Sequence, residues 1–397
     1  MGLSRRSFSL GATGAVLAAP FVRPARADDG PVRIGWLASL TGPSSAPAIG
    51  FDYGVQFAVK QINDAGGIKG RKIELVTRDT QGDPTKAVNA VQDMISRAKV
   101  HAIWGPTNSG EALAVTPIIA RARTPNLTPC FVDTLINPEK YPSAFRIAPS
   151  NSQINEAVGS YCVDVLKLNK IAVIGDTTGY GTTTVKAFGD AVKQRGADVV
   201  YSATIDATQP DVMPDMLRMK NAGAQVITFW SVSTGMAARM MNARATLNWD
   251  VPFAGHPAMG SGEVGGLVAK PENWERVYIL GFRNCTIGED GKLPARTQAW
   301  LDKNGGRFDL KNTVLWWVVA AVDVIDMFAK AVEDTGSTAP DALNTYFSKL
   351  SHYPGLYADY AFSPTQHNGF PTEQIVMSRA NSQTNGAYKI APGYAKS

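Results

Sequence analysis

Short runs rich in apolar and β-branched residues alternate along this chain with longer stretches in which apolar residues recur every three or four positions. That alternation is the signature of parallel sheets with covering helices. Val32–Ala38, Lys72–Arg78, His101–Trp104 and Asn126–Cys130 are the strands it predicts first. Between them lie predicted helices over Phe51–Asp64, Pro84–Arg97 and Glu111–Arg121. Ala65-Gly66-Gly67 stops the first helix, and Asp83 caps the second, with proline at its first position.

The extended, proline-stopped segment Phe145-Arg146-Ile147-Ala148-Pro149 suits a crossing between lobes. A second series follows, with strands over Lys170–Gly175, Asp198–Ile205, Gln225–Trp230 and Pro252–Gly255, and helices over Thr182–Arg195, Met213–Asn221 and Gly235–Asn248. Arg276–Phe282 reads as a strand leading back. Helices near Pro294–Asn304, Thr313–Glu333 and Pro340–Lys349 come next, and late extended segments over Gly355–Phe362 and Gln374–Arg379 flank the turn signal Asn368-Gly369. A return of the chain to the first lobe would require several crossings, and so a hinge that keeps the lobes in register.

Residues 1–27 read as an export signal: Arg5 and Arg6 precede an apolar run from Leu10 to Val22 and the small-residue box Ala25-Arg26-Ala27. The start, Ser4-Arg5-Arg6-Ser7-Phe8, resembles a twin-arginine signal, although Ser9 and Leu10 depart from that pattern; an ordinary secretory signal is the other reading. Both readings end in the periplasm. Its removal takes away four arginines and no acid, lowering the formal charge from +5 to about +1. The remainder shows no clustered basic surface, which argues against a nucleic-acid partner. About 370 remaining residues are too many for one core and predict two domains. Three cysteines, Cys130, Cys162 and Cys285, are too few and too widely spaced for a disulfide scaffold; three buried thiols are the favoured reading, with one pair left open. The most apolar later segment, Val314 to Val322, is far shorter than the roughly 18 to 20 residues a membrane span needs. No stable insertion of the mature chain is expected.

Catalytic signatures are missing: there is no GxSxG elbow, HExxH, Walker loop or GxGxxG, and His101, His256, His352 and His367 lie far apart. The chain is therefore read as a non-enzyme needing no cofactor and no metal. Candidate chemistry sits in loops at the carboxyl ends of the strands, where open α/β sheets bind ligands. These are Leu40-Thr41-Gly42-Pro43, Gly105-Pro106-Thr107-Asn108-Ser109-Gly110 and Thr128-Pro129-Cys130-Phe131-Val132. In the second loop, the Ser109 hydroxyl and free amides at a helix N-terminus could together hold a carboxylate.

A resemblance becomes specific here. Ile34-Gly35 through Leu40-Thr41-Gly42-Pro43, then Ala58 to Gly67, Gly70-Arg71-Lys72-Ile73-Glu74-Leu75, Asp79, Asp83-Pro84, Gly105 to Ser109, Phe145-Arg146 and Gly179-Tyr180-Gly181 follow in order across nearly the whole mature chain. Together they resemble the leucine/isoleucine/valine-type periplasmic solute-binding proteins of ABC importers. The resemblance implies an α/β fold of two doubly wound parallel-sheet lobes joined by a multi-crossover hinge, with a small molecule clamped between them. On that plan residues 28–147 with about 282–355 form the N-terminal lobe, and residues 148–281 with about 356–397 form the C-terminal lobe. It also implies that Asn108, Ser109 and backbone around Cys130 hold a polar end of the ligand, that Tyr180 closes over it, and that Trp230, Ser231 and Ser233 face the cleft, although a core position for Trp230 is at least as well supported. The implied partner is a membrane permease; a periplasmic sensor built on the same clamp is the alternative.

The departures bear on the ligand. Val132 stands where amino-acid-binding members carry Thr, and Pro47 where an aromatic often covers the ligand. Gly255-His256-Pro257-Ala258 stands where an acid would pair with the ligand ammonium. A buried ammonium without a carboxylate costs several kcal/mol. Either Asp133, Asp206 or Glu263 substitutes, or the ligand carries no ammonium. Two ligands stay open: a branched-chain or other apolar amino acid, and an apolar or aromatic acid held by Ser109 with Phe131, Val132, Tyr180 and Trp230 as walls.

Overall fold

The computed structural model describes residues 30–42 and 44–394, so the expected export signal and Pro43 lie outside the described residues. β1 (Val32–Ala38), β2 (Ile73–Asp79), β3 (Ala102–Trp104), β4 (Asn126–Thr128) and β5 (Ala144–Arg146) form one all-parallel sheet in the order β2-β1-β3-β4-β5. α1 (Ser45–Asp64), α2 (Pro84–Ser96) and α3 (Ser109–Arg121) connect them. β1 is buried along nearly its whole length, as a strand covered on both faces must be. Asp83 accepts hydrogen bonds from the Thr85 and Lys86 amides, so the predicted cap and first-turn proline start α2 as expected.

The second sheet uses β6 (Lys170–Asp176), β7 (Asp198–Ile205), β8 (Val226–Trp230), β9 (Phe253–Gly255) and β10 (Val277–Phe282) in parallel and, with the later strand β14 (Ile375–Arg379), has the order β14-β10-β9-β8-β6-β7. Its covering helices include α4 (Asn151–Ser160), α5 (Gly179–Gln194), α6 (Met213–Asn221), α7 (Thr234–Thr246) and α8 (Gly262–Leu267). The sequence reading missed α4, which leads into a π-helical turn over Tyr161–Val165. It also began α1, α3 and α5 too late and carried β4 too far. The structure starts α3 at Ser109 and α5 at Gly179, and ends β4 at Thr128.

Beyond β10 and the short β11 (Thr286–Ile287), the chain adds α9 (Ala295–Asn304), α10 (Leu315–Thr335) and α11 (Pro340–Ser348). α10 lies against α1 at a distance set by glycines: a Cβ on Gly54 would stand 2.1 Å from the Val318 carbonyl oxygen, and one on Gly50 2.7 Å from the Trp317 Cβ. The first lobe is thus completed by sequence far downstream. After the two-residue strands β12 (Tyr353–Pro354) and β13 (Asp359–Tyr360), β14 (Ile375–Arg379) joins the second sheet antiparallel to β10.

The chain therefore passes between the sheets after β5, between β10 and α10, and again before β14. The first and third passages run side by side: the Arg146 amide donates to the His367 carbonyl at 2.9 Å, and the Gly369 amide to the Arg146 carbonyl at 2.9 Å. Arg146 Nε bonds Asn368 Oδ1 at 3.1 Å, while Asn368 Nδ2 bonds Gln153 Oε1 at 2.9 Å. Gln153 belongs to a reciprocal capping box with Ser150 at the start of α4, which fixes the first passage to the second lobe. Among the described residues, no helix is long and apolar enough to cross a membrane.

Candidate functional site

Both sheets reverse their strand order, the first between β1 and β3 and the second between β6 and β8. Loops at the carboxyl ends of strands diverge at such switch points and leave a crevice. The two crevices face each other. A cavity of about 40 Å³ between them is lined by Pro47, Phe51, Thr107, Asn108, Ser109, Pro129, Cys130 and Phe131 from the first lobe's loops and helices. Tyr180, Val232 and His256 line it from the second lobe, and Trp316 and Trp317 from α10.

Local sequence explains how the polar members are placed. Gly105 has φ +100°, and a Cβ there would lie 2.1 Å from the Leu37 carbonyl oxygen, so the chain can turn tightly against β1 only with glycine. The Gly105–Pro106 peptide bond is cis. Asn108 then caps α3, its Oδ1 accepting from the Gly110 amide at 2.9 Å, which puts Ser109 on the first helical turn. Across the cleft, Thr178 Oγ1 caps α5 through the Gly181 amide, which places Tyr180 on that helix's first turn. The two helix starts touch: a Cβ on Gly179 would stand 2.5 Å from the Gly110 Cα. Tyr180 closes edge-on over Phe131, with ring centroids 5.9 Å apart, and lies 5.4 Å from the His256 ring.

No Asp, Glu, Lys or Arg lines the cavity, so its walls carry no acidic or basic side chain. His256 Nδ1 accepts from the Ala258 amide at 3.1 Å, which leaves the proton on Nε2, and burial pushes the ring's pKa down to about 3. It is a neutral donor. Burial pushes the Cys130 thiol up to about 12, and its Sγ donates to the Pro106 carbonyl at 3.1 Å. All three cysteines are free and buried. Behind the loops, Glu111 Oε2 accepts from Ser39 Oγ at 3.1 Å and Ser39 N donates to Thr107 Oγ1 at 3.2 Å, tying the loops after β1 and β3 together. Burial raises the Glu111 carboxyl to about 7. Arg146, also buried, donates to the Phe131 and Val132 carbonyls at 3.2 and 2.8 Å and holds the loop after β4.

Of the residues singled out in sequence, Pro47, Asn108, Ser109, Cys130, Phe131, Tyr180 and His256 meet at this cavity. Val132, Trp230, Ser231 and Ser233 do not line it; Ser233 caps α7, its Oγ accepting from the Met236 amide at 3.2 Å. Val132 packs with Ala112, Cys130 and Leu135 in a separate apolar cluster. Trp230 is fully buried against Phe188 of α5, with centroids 4.9 Å apart, because the last residue of β8 turns toward the covering helix. Ser231 Oγ donates to Asp176 Oδ2 at 2.6 Å and joins the ends of β6 and β8; the following residue, Val232, reaches the cavity instead. Sequence reasoning missed Phe51, Val232, Trp316 and Trp317. The adjacent tryptophans opening an apolar helix were the available signal for the last two. Of the substitute acids, Asp206 is exposed and accepts from the Thr208 amide, Asp133 is exposed, and Glu263 lines a different pocket of about 240 Å³ that shares only Trp317 with this cavity.

A sequence profile of the family described as periplasmic binding protein matches residues 31–386. A Leu/Ile/Val-binding protein homolog of Brucella melitensis is 28% identical over 213 residues, 53% of this chain and 58% of that protein. The match thus spans somewhat over half of that relative. The branched-chain amino acid transporter substrate binding protein LivJ of Streptococcus pneumoniae, solved with isoleucine, has a TM-score of 0.78 at 21% identity, covering 91% of this chain and 99% of that one. A solute binding protein of an ABC transporter from Rhodopseudomonas palustris, solved with 3,4-dihydroxybenzoic acid, has a TM-score of 0.72 at 17% identity, covering 89% and 93%. At these identities the two structures establish the shared two-lobed α/β fold.

Proposed function

The chain belongs to the periplasmic binding protein family, and from that premise we propose that it is the exported solute-binding component of an ABC importer, clamping a small organic carboxylate between its lobes and releasing it unchanged. One observation carries this reading: strand-end loops of both sheets, at both switch points, line a single cavity. A guest held there touches Ser109 on one side and Tyr180 on the other, so it favours the arrangement in which the two stand close. Reversing a 1:99 preference for the open form takes roughly 5.5 kcal/mol of differential binding, within the roughly 8 kcal/mol of a micromolar ligand. The closed surface is what a membrane permease would recognise. In this role the cavity-lining residues bind and orient, and the uncharged walls hold no acid–base pair for chemistry on the guest.

Mass spectrometry of small molecules released by denaturing the purified mature protein tests the reading. An organic acid recovered intact in near-stoichiometric amount is expected; a chemically converted product, or the absence of any bound or bindable small molecule, refutes it. Ser109→Ala should weaken a carboxylate guest by about 1.5–3 kcal/mol in calorimetry, and an unchanged affinity would remove Ser109 from its assigned role.

A further inference from the structure

Three buried donors with no partner belong to residues that line the cavity, while several of the acceptors beside them already hold hydrogen bonds. Tyr180, Trp316 and Trp317 line it with relative exposures of 4%, 5% and 1%, and the Tyr180 hydroxyl and both indole Nε1 groups are buried without a hydrogen-bond partner. His256 adds its Nε2 proton. On the acceptor side, Asn108 Oδ1 is held by the Gly110 amide, Thr107 Oγ1 by the Ser39 amide at 3.2 Å, and the Phe131 carbonyl by the Asn151 amide at 2.6 Å and by Arg146. Asp176 is a buried second-lobe acid outside the cavity lining, and it accepts from the Thr178 amide, the Thr178 hydroxyl and the Ser231 hydroxyl.

Backbone polarity points the same way. α3, α5, α7 and α10 all begin at or beside lining residues, namely Ser109, Tyr180, Val232 and Trp316, so four helix N-termini from the two lobes converge on one chamber. Each N-terminus carries roughly half a positive charge. The caps at Asn108, Thr178 and Ser233 take up only one first-turn amide apiece, those of Gly110, Gly181 and Met236. Around these groups stand the rings of Phe51, Phe131, Tyr180, Trp316 and Trp317.

We propose that the clamp selects a planar aromatic monocarboxylate with no ammonium group, a refinement that rests on the solute-binding reading above. The carboxylate takes the otherwise unpartnered donors and the positive helix ends, and the ring lies among the aromatic walls. An α-amino acid would bring an ammonium into a chamber that has no carboxylate to pair with it and whose helix ends repel it. A benzene-sized guest needs an apolar cavity of about 150 Å³, against the roughly 40 Å³ present here. Side chains lining the cavity therefore have to move to admit the ring.

The test uses ligand pairs that differ only in the ammonium group. Mature protein stripped by unfolding and refolding is titrated calorimetrically with benzoate, 3-phenylpropanoate, L-phenylalanine, 4-methylpentanoate and L-leucine. Benzoate or 3-phenylpropanoate should bind, with L-phenylalanine at least about 100-fold weaker than 3-phenylpropanoate, the ratio that a loss of several kcal/mol produces. Tyr180→Phe should weaken the aromatic acid about tenfold or more. L-Leucine or L-phenylalanine binding more tightly than its deaminated partner would overturn the ligand assignment and leave the solute-binding role standing. If neither aromatic acid binds while an intact molecule is still released from freshly purified protein, the assignment again falls alone. If nothing binds and nothing is released, both fall.

Discussion

Tyr180 holds a buried hydroxyl that no group in the protein satisfies, an arrangement that folding alone disfavours. Tyr180→Phe should therefore raise the stability of the unliganded protein by about 1 kcal/mol, read as a higher melting temperature, even though the same change weakens the guest. A lower melting temperature would mean that the hydroxyl is satisfied after all. Glu111 supplies a pH signature. Its carboxyl is raised from 4.5 to about 7 by burial, so the stability it contributes is complete below pH 4.5 and is lost as pH climbs through 7. Glu111→Gln carries no such penalty. The variant's melting temperature relative to the parent should increase between pH 5 and pH 8 in thermal-shift measurements, and a difference that does not change with pH would refute the assignment. Ser109 was picked out by its loop at the end of a strand and Tyr180 by the family resemblance, and both line the cavity. Trp230 was misplaced because a run of five buried residues gives no phase: nothing in the string says whether the last one faces the covering helix or the crevice. Trp316 and Trp317 were hidden for the related reason that an apolar run reads as core on every side.

At the level of elements, α1 and α10 pack backbone against backbone, and the glycines decide the separation. Gly54→Ala places a methyl where 2.1 Å separates it from the Val318 carbonyl oxygen, so the helices must part at a loss of about 1–3 kcal/mol. Gly266→Ala, with open space around the new methyl, is the control and should leave the transition within about 0.5 kcal/mol of the parent in scanning calorimetry. Equal effects from the two would show that the α1–α10 contact is loose. The strands and most helices were legible from apolar periodicity and punctuation, with Val32–Ala38, Asp198–Ile205 and Met213–Asn221 found at their observed ends. α4 was lost because Asn151–Ser160 is largely polar, and buried side chains such as Asn151 and Asn155 disguise its inner face. The Ser150–Gln153 box was the signal that could have found it. The helix starts came out late because glycine near the beginning of α3 and α5 reads as loop, whereas the capping side chains two or three residues earlier set the true boundary.

Across the whole molecule, the approach of Gly110 and Gly179 makes closure sensitive to a single methyl. Gly179→Ala adds a Cβ 2.5 Å from the Gly110 Cα, a clash with the close approach of the lobes in this structure. Guest affinity should fall about tenfold or more, and small-angle scattering with saturating guest should report a larger radius of gyration than the parent shows. Normal closure in the variant would place the contact outside the clamp's working motion. Two lobes of parallel sheet followed from chain length and alternation; the pairing of Arg146 and Gln153 with Asn368 across the first and third passages did not, because Asn368 lies more than 200 residues from both in the chain.

The interleaved passages also set an order of manufacture. The first sheet waits for α10 to cover α1, and the second waits for β14 to close its edge, so a nascent chain released only to residue 282 has neither half complete. Both halves become foldable within the last part of synthesis rather than one after the other, which leaves long stretches of apolar strand exposed until late and gives chaperones an extended interval in which to act.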